Sequence, residues 1–424
     1  MISRREFLQS TTIVGTSLCI PEFLSKTAKA TGNANNPGNS DTILVVIQLT
    51  GGNDGLNTVI PFNDPQYYKL RPTLALKEAQ VKKLNDQIGL HPALNALHGL
   101  WEKKALGVIQ GVGYPNPSQS HFRSMDIWHT ASLADGVSEG WLGKSLKSIR
   151  QGAFHVASKN ETTPLAMMGA PARVPTLTSL SDFQLKVPEG PLAQLQKQII
   201  HQEVKPPANS NITVANDSNS QKSNPASLLD FVRKTSWNTY LSSDRLQELG
   251  KSYTPKVSYP GLNVNPLADR LKICAQLIEA GLGARILFVS IDNFDTHANQ
   301  GGANGTHANL LRQLSEAISA FYLDMEARGH GKRLLIMTFS EFGRRAAENG
   351  SKGTDHGSAA PMFLVGGKIK NEIIGKHPSL TETPLGNLQH HTDFRQIYAT
   401  ILDRWLGVSS KEVLGESFAP VACL

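Results

Sequence analysis

Three short runs constrain this chain more than any other feature. Thr42–Leu49 (TILVVIQL), Ala284–Ile291 (ARILFVSI) and Leu334–Phe339 (LLIMTF) are nearly continuous in apolar and β-branched residues. A strand with one wet face alternates apolar and polar residues. A strand that does not alternate must be covered on both faces, the condition of a parallel sheet with helices above and below it. Leu106–Gln110 and Met362–Val365 are weaker versions. Between the runs, His91–Lys103, Pro266–Ala280, His307–Ala327 and Asp393–Leu406 repeat apolar residues at helical spacing, as in Leu267, Leu271, Cys274, Leu277 and Ile278. Strand and helix alternating in this way predict an α/β fold: a doubly wound, mostly parallel sheet with helices on both faces.

Ligands of such sheets collect beyond the carboxyl ends of the strands. TILVVIQL is followed by Gly51-Gly52-Asn53-Asp54-Gly55, ARILFVSI by Asp292-Asn293-Phe294-Asp295-Thr296-His297, and LLIMTF by Ser340-Glu341-Phe342-Gly343-Arg344-Arg345. A Gly-flanked loop, Gly353-Thr354-Asp355-His356-Gly357, precedes the next strand. Each piece alone has a plain structural use: a turn at Asp54, a helix cap at Asp295, an ion pair between Glu341 and Arg344 or Arg345, a hydrogen-bonded loop at His356. Together they line one rim with carboxylates, which repel unless a cation neutralises them. The expectation is a divalent metal site drawn from Asp54, Asp292, Asp295, His297, Glu341, Asp355 and His356. Aspartate and histidine without cysteine suit zinc, manganese, magnesium or calcium, with oxygen-rich coordination preferred.

The candidate nucleophile is Ser120, in Pro117-Ser118-Gln119-Ser120-His121 ahead of the apolar-periodic stretch Met125–Leu133. A serine there sits at a helix N-terminus, where free N–H groups favour an anion, although N-capping alone would also explain it. His121 beside it could act as a base or as a ligand. No GxSxG elbow, GxGxxG turn or P-loop pattern is present, and no CxxC, so neither an organic cofactor nor a cysteine-rich metal site is expected.

The first thirty residues read as a twin-arginine export signal. Ser3-Arg4-Arg5-Glu6-Phe7-Leu8 precedes an apolar run, Thr11–Ile20, too short to span a membrane, and the small-x-small site Ala28-Lys29-Ala30. The expected partner is the twin-arginine translocase, the expected location the periplasm or beyond, with no stable membrane insertion. Residues 31–41 form a polar tether, 42–424 one α/β domain, and Gln202–Pro225 a disordered polar insertion followed by the apolar-periodic Leu228–Leu249. The formal net charge is +7; the signal carries Arg4, Arg5, Lys26 and Lys29 against Glu6 and Glu22, a net +2, which leaves +5. That surface favours an anionic small molecule or glycan, and without a Lys/Arg block nucleic acid is not expected. Cys274 and Cys423 remain after the signal leaves. An oxidising compartment would allow them to pair, but two buried thiols is the preferred reading.

The segments VVIQLTGGNDGLNTVIP, SQSHFRSMDIWHTA, DNFDTHANQ, TFSEFGRR, GTDHGSAAPMFLVGG and HTDFRQIYATILDRWLG together resemble the domain-of-unknown-function 1501 family of exported bacterial proteins, in order and over nearly the whole mature chain. That family is grouped by fold with the alkaline phosphatase-like superfamily, which includes sulfatases and phosphodiesterases. The looser resemblance implies Asp54 as the first metal-binding aspartate, Ser120 as nucleophile, Asp292 and His297 as an acid–histidine pair and His356 as the final histidine. Ser340-Glu341 stands where that superfamily has Asp-His, which leaves one metal or a degenerate site as the alternatives to two. The implied activity is hydrolysis of phosphate or sulfate esters. A non-catalytic exported protein holding a structural cation or an anionic glycan is the alternative.

Overall fold

The computed structural model describes residues 41–149, 152–170, 174–180, 248, 250, 252–261 and 264–424. The expected export signal, nearly all of the expected tether, the expected polar insertion and all but one residue of Leu228–Leu249 lie outside them.

The runs form strands where their composition places them. A nine-stranded sheet holds β1 (Ile43–Leu49), β2 (Leu106–Gly113), β3 (Gly152–Val156), β4 (Thr176–Leu177), β5 (Ala284–Ile291), β6 (Leu334–Phe339), β7 (Ala360–Gly366), β8 (Ile373–Ile374) and β9 (Thr392–Asp393). Its order is β8-β2-β7-β6-β1-β5-β3-β4, with β9 pairing β2. Every pairing is parallel except those of β7, which runs antiparallel to both β2 and β6. β1 lies at the centre, flanked by β5 and β6, so the three strongest runs are adjacent.

β1 shows why these runs do not alternate. Ile43, Val45, Ile47 and Leu49 face a core built with α1 (Asn95–Glu102), α3 (Pro266–Glu279) and α4 (Thr306–Ala327). Leu44 and Val46 face the opposite core, with α2 (His121–Thr130) and α5 (Phe394–Thr400). Each face removes a full apolar side chain from water, about 1.5–3 kcal/mol for a Val, Leu or Ile. The second core is aromatic: Trp128 stacks on Phe394 at 4.2 Å and Trp141 on Tyr398 at 4.0 Å. That stack anchors α2, whose first residue is His121. Cys274 belongs to one core and Cys423 to the other, and both thiols are free and buried. Among the described residues no helix is long and apolar enough to cross a membrane.

The topology converges several segments on one edge. β6, β1 and β5 deliver their following loops side by side at their carboxyl ends. β7 runs the other way, so the loop before it, carrying Asp355 and His356, reaches that same edge. Two glycines allow the loops to close. A Cβ at Gly51, whose φ is +118°, would lie 2.4 Å from the Asp295 nitrogen, and one at Gly353 would lie 2.2 Å from the His297 carbonyl carbon.

Candidate metal centre

His121, Asp295 and His356 each offer one ligand atom, all within 4.8 Å of one another. The carboxylate lies between the rings: His356 Nε2 is 3.2 Å from Asp295 Oδ1, and His121 Nε2 is 3.6 Å from Asp295 Oδ2. The two imidazoles meet edge to face at 4.4 Å, and Phe342 packs against both, at 4.9 Å from His121 and 4.7 Å from His356.

The far nitrogen of each ring is fixed by an acceptor. His121 Nδ1–H donates to Glu341 Oε1 at 2.8 Å, and His356 Nδ1–H to the Gln119 carbonyl at 2.8 Å. Glu341 is fully buried, and Oε1 also accepts from the Gly51 nitrogen at 2.8 Å. The hydrogen bond to Glu341 raises the pKa of His121, against the effect of burial. Burial lowers that of His356. Burial would raise the Asp295 carboxyl, but the hydrogen bond and charge of Arg344 outweigh it and hold the group below the usual carboxylate range.

Arg344 organises the rim. Its guanidinium is buried and donates to the carbonyls of Gly51, Gly52, Thr354 and Phe294 and to Asp295 Oδ1, the last at 2.5 Å. A backbone bridge joins Arg344 to His356. A second tie runs through Gln300. Its Oε1 accepts from Thr296 Oγ1 at 2.9 Å and Thr354 Oγ1 at 2.7 Å, one from each ligand-bearing loop, while its Nε2 donates to Asp54 Oδ2 at 2.5 Å.

The predicted residues therefore separate. Asp295, His356 and His121 converge, with His297 beside them, its Nδ1 at 2.8 Å from Asp295 Oδ1 and its ring 4.6 Å from that of His356. Glu341 stands behind His121 rather than among the three ligand atoms. Asp54 is buried and ion-paired with Arg71, which also donates to the Ala346 carbonyl at 2.8 Å and the Arg345 carbonyl at 2.9 Å. Burial pushes the Asp54 carboxyl up, but Arg71 outweighs it and the net shift is downward. Asp355 Oδ1 accepts from Asn349 Nδ2 at 2.8 Å. Asp292 is exposed, outside the cluster, and its charge acts on Arg270. The preference for oxygen-rich coordination does not match this cluster, which supplies two imidazoles and one carboxylate.

Ser120 is the N-cap of α2. It is exposed, its hydroxyl makes no capping bond, and it directly precedes His121. Residues that sequence reasoning missed include Gln119, which acts through its backbone carbonyl, and Arg71, Gln300 and Thr354, whose polar side chains give no spacing signal. Arg344, which the sequence offers as a partner for Glu341, pairs with Asp295 instead.

No curated protein matches the chain. Among solved structures it is similar to a protein of the alkaline phosphatase superfamily from Vibrio parahaemolyticus, at 8% identity over 93% of this chain and 77% of that one, TM-score 0.38. It is also similar to the PsFucS1 sulfatase from Pseudoalteromonas sp., at 11% identity over 93% and 72%, TM-score 0.38. A third is the C-terminal periplasmic domain of EcEptC from Escherichia coli in complex with Zn, at 8% identity over 79% and 75%, TM-score 0.38. Residues 245–416, which carry Asp295, His297, Glu341 and His356, match the model of the family described as Protein of unknown function (DUF1501), so the resemblance read from the motifs holds over this segment.

Proposed function

We propose that this chain is an exported, metal-dependent hydrolase of phosphate or sulfate esters, with one divalent ion held by His121 Nε2, His356 Nε2 and Asp295. One observation carries the reading. Glu341 and the Gln119 carbonyl are acceptors, so each ring donates through Nδ1. In a neutral ring that leaves the Nε2 lone pair facing the Asp295 carboxylate, a donor arrangement suited to a metal cation or, with none bound, to a proton on the ring. A metal-bound histidine commonly donates its other nitrogen to a carboxylate or backbone carbonyl in this way. The donor set is a borderline one and fits zinc or manganese better than calcium.

A bound divalent ion would act as a Lewis acid on the ester oxygen. The chain's own residues supply the rest. Ser120, exposed at the start of α2, is the nucleophile, and the N–H groups of the first turn favour the anionic group under attack. Glu341 holds His121, Gln119 holds His356, and Arg344 holds Asp295, so the three ligands are oriented before anything binds. Export by the twin-arginine route, proposed on Ser3-Arg4-Arg5-Glu6-Phe7-Leu8, would let folding and metal loading precede translocation. A second reading, a non-catalytic binding protein with a degenerate site, draws on a specific contact: Asp295 Oδ1 already accepts from Arg344 and lies within 2.8 Å of His297.

The deciding experiment is metal analysis of the purified folded protein, with a screen of generic phosphate and sulfate esters. Esterase activity lost in Ser120→Ala, with metal retained, supports the hydrolase. Bound metal with no turnover of any ester supports the binding protein.

A further inference from the structure

We propose that Arg345 is an anion-binding residue at the rim of this centre, and that it takes a tetrahedral oxyanion, sulfate or phosphate, distinct from the group under attack. Neighbouring residues of an extended segment point to opposite sides. Arg344 turns inward and is saturated by acceptors. Arg345 makes no ion pair or side-chain hydrogen bond among the described residues, and its Nε is buried without any acceptor. The buried Arg71, Arg270 and Arg395 and the half-buried Arg328 each face a carboxylate, whereas the half-buried Arg345 does not among the described residues. A buried N–H without an acceptor bears the full cost of lost hydration, so such a group calls for a ligand.

The backbone of Arg345 runs beside the proposed centre, while its side chain lies against the loop that carries Gly386. The Arg345 nitrogen donates to the Asp355 carbonyl at 3.0 Å, one residue from His356, and its carbonyl accepts from Arg71. Its Cδ lies 3.5 Å from where a Cβ of Gly386 would stand, and that glycine has φ +81°, so the loop at 384–387 passes close over the Arg345 stem. Asn387, next in that loop, accepts from Gln119 Nε2 at 3.1 Å, and the Gln119 carbonyl holds His356. Arg345 therefore adjoins His356 through its backbone and, through the 384–387 loop, the segment leading to Ser120. A planar guanidinium with its donors free is suited to bidentate recognition of an oxyanion.

The anion site stands on this geometry; only the identity of the molecule carrying the anion rests on the hydrolase reading. The test uses the mature full-length protein and inorganic sulfate and phosphate, with chloride at equal ionic strength as reference. Calorimetric titration and thermal melting are run on the parent, Arg345→Gln, Arg345→Lys and His356→Ala. Sulfate or phosphate should bind the parent and raise its melting midpoint, and His356→Ala should keep the Arg345-dependent part of that binding. Arg345→Gln should weaken binding by about tenfold or more, and Arg345→Lys by less, because an ammonium keeps the charge and loses the fork. Equal affinity in Arg345→Gln overturns the proposal, as does a parent that binds neither anion. Loss in His356→Ala with retention in Arg345→Gln also overturns it, by assigning the anion to the metal ligands. Should Arg345→Gln fail to fold, Arg345→Lys decides: affinity equal to the parent's overturns the proposal, and weakened binding supports it. An empty ester screen with Arg345-dependent sulfate binding removes the hydrolase and leaves the anion site; turnover with no such dependence does the reverse.

Discussion

At the scale of single residues, the decisive distinction is between carboxylates that reach the shared centre and carboxylates buried away from it. Asp54 and Asp295 both follow buried strands, and the sequence does not separate them. Both have an arginine partner; what separates them is burial, since Arg71, seventeen residues beyond Asp54, seals a buried carboxylate, whereas Asp295, paired with Arg344, stays exposed beside His121 and His356. Asp54→Ala should destabilise the fold by about 3–5 kcal/mol, the cost of leaving a buried Arg71 unpaired, while metal bound by the folded protein stays unchanged. Urea denaturation beside metal analysis checks this; loss of the metal at full stability would return Asp54 to the ligand set. Glu341 is the converse case. It was legible as a rim carboxylate, but its role depends on His121, 220 positions away. Glu341→Gln keeps an acceptor for His121 and removes the charge, so metal affinity should fall by about 10–100-fold with the site still assembled. A competition titration reads that value, and unchanged affinity would mean that Glu341 does not tune His121.

At the scale of elements, the three strong strands and most helices are legible in the sequence, because short length and β-branched content separate a strand buried on both faces from a buried helix. β3 was missed: GAFHV is short and carries His155, so it lacks the apolar continuity of β1. The reversal of β7 was also illegible, since a buried strand has the same composition in either direction. Yet that reversal brings His356 to the rim, and the side-chain tie at Gln300 joins its loop to the one bearing Asp295 and His297. Gln300→Leu leaves the Thr296 and Thr354 hydroxyls without their acceptor, while Asp54 Oδ2 keeps Arg71, and should destabilise by about 1–3 kcal/mol for each hydroxyl left unsatisfied. Thr354→Val, which removes one hydroxyl at constant shape, should cost less. A double-mutant cycle tests the tie, because strictly additive effects would show that the two side chains do not act together.

At the scale of the whole molecule, two buried histidines set the response to acid. Burial pushes His129 and His307 down to about 3 from an ordinary 6.5. Between those values the unfolded chain binds protons that the native state refuses, so stability rises with pH there. Stability should therefore be fully present above about pH 6.5 and fall progressively as pH drops toward 3. Urea midpoints across that range check the slope, and a flat profile would show that both rings take up protons in the native state. The proposed export is the other property of the whole chain. Replacing Arg4-Arg5 by Lys-Lys should leave precursor in the cytoplasm, and normal delivery of that variant would assign the signal to the general secretion route.

The central claim is that a divalent ion belongs among His121, Asp295 and His356, and melting with and without chelator tests it most directly. An ion that binds only the folded state stabilises it by RT ln(1 + [L]/Kd), about 2.7 kcal/mol at a hundredfold excess over Kd. At roughly 2–4 °C per kcal/mol, chelation should lower the midpoint by several degrees, and adding back the right ion should restore it. His356→Ala should abolish most of that response, and Ser120→Ala should leave it intact. A purified protein that contains no metal and melts at the same temperature with and without chelator would contradict the account.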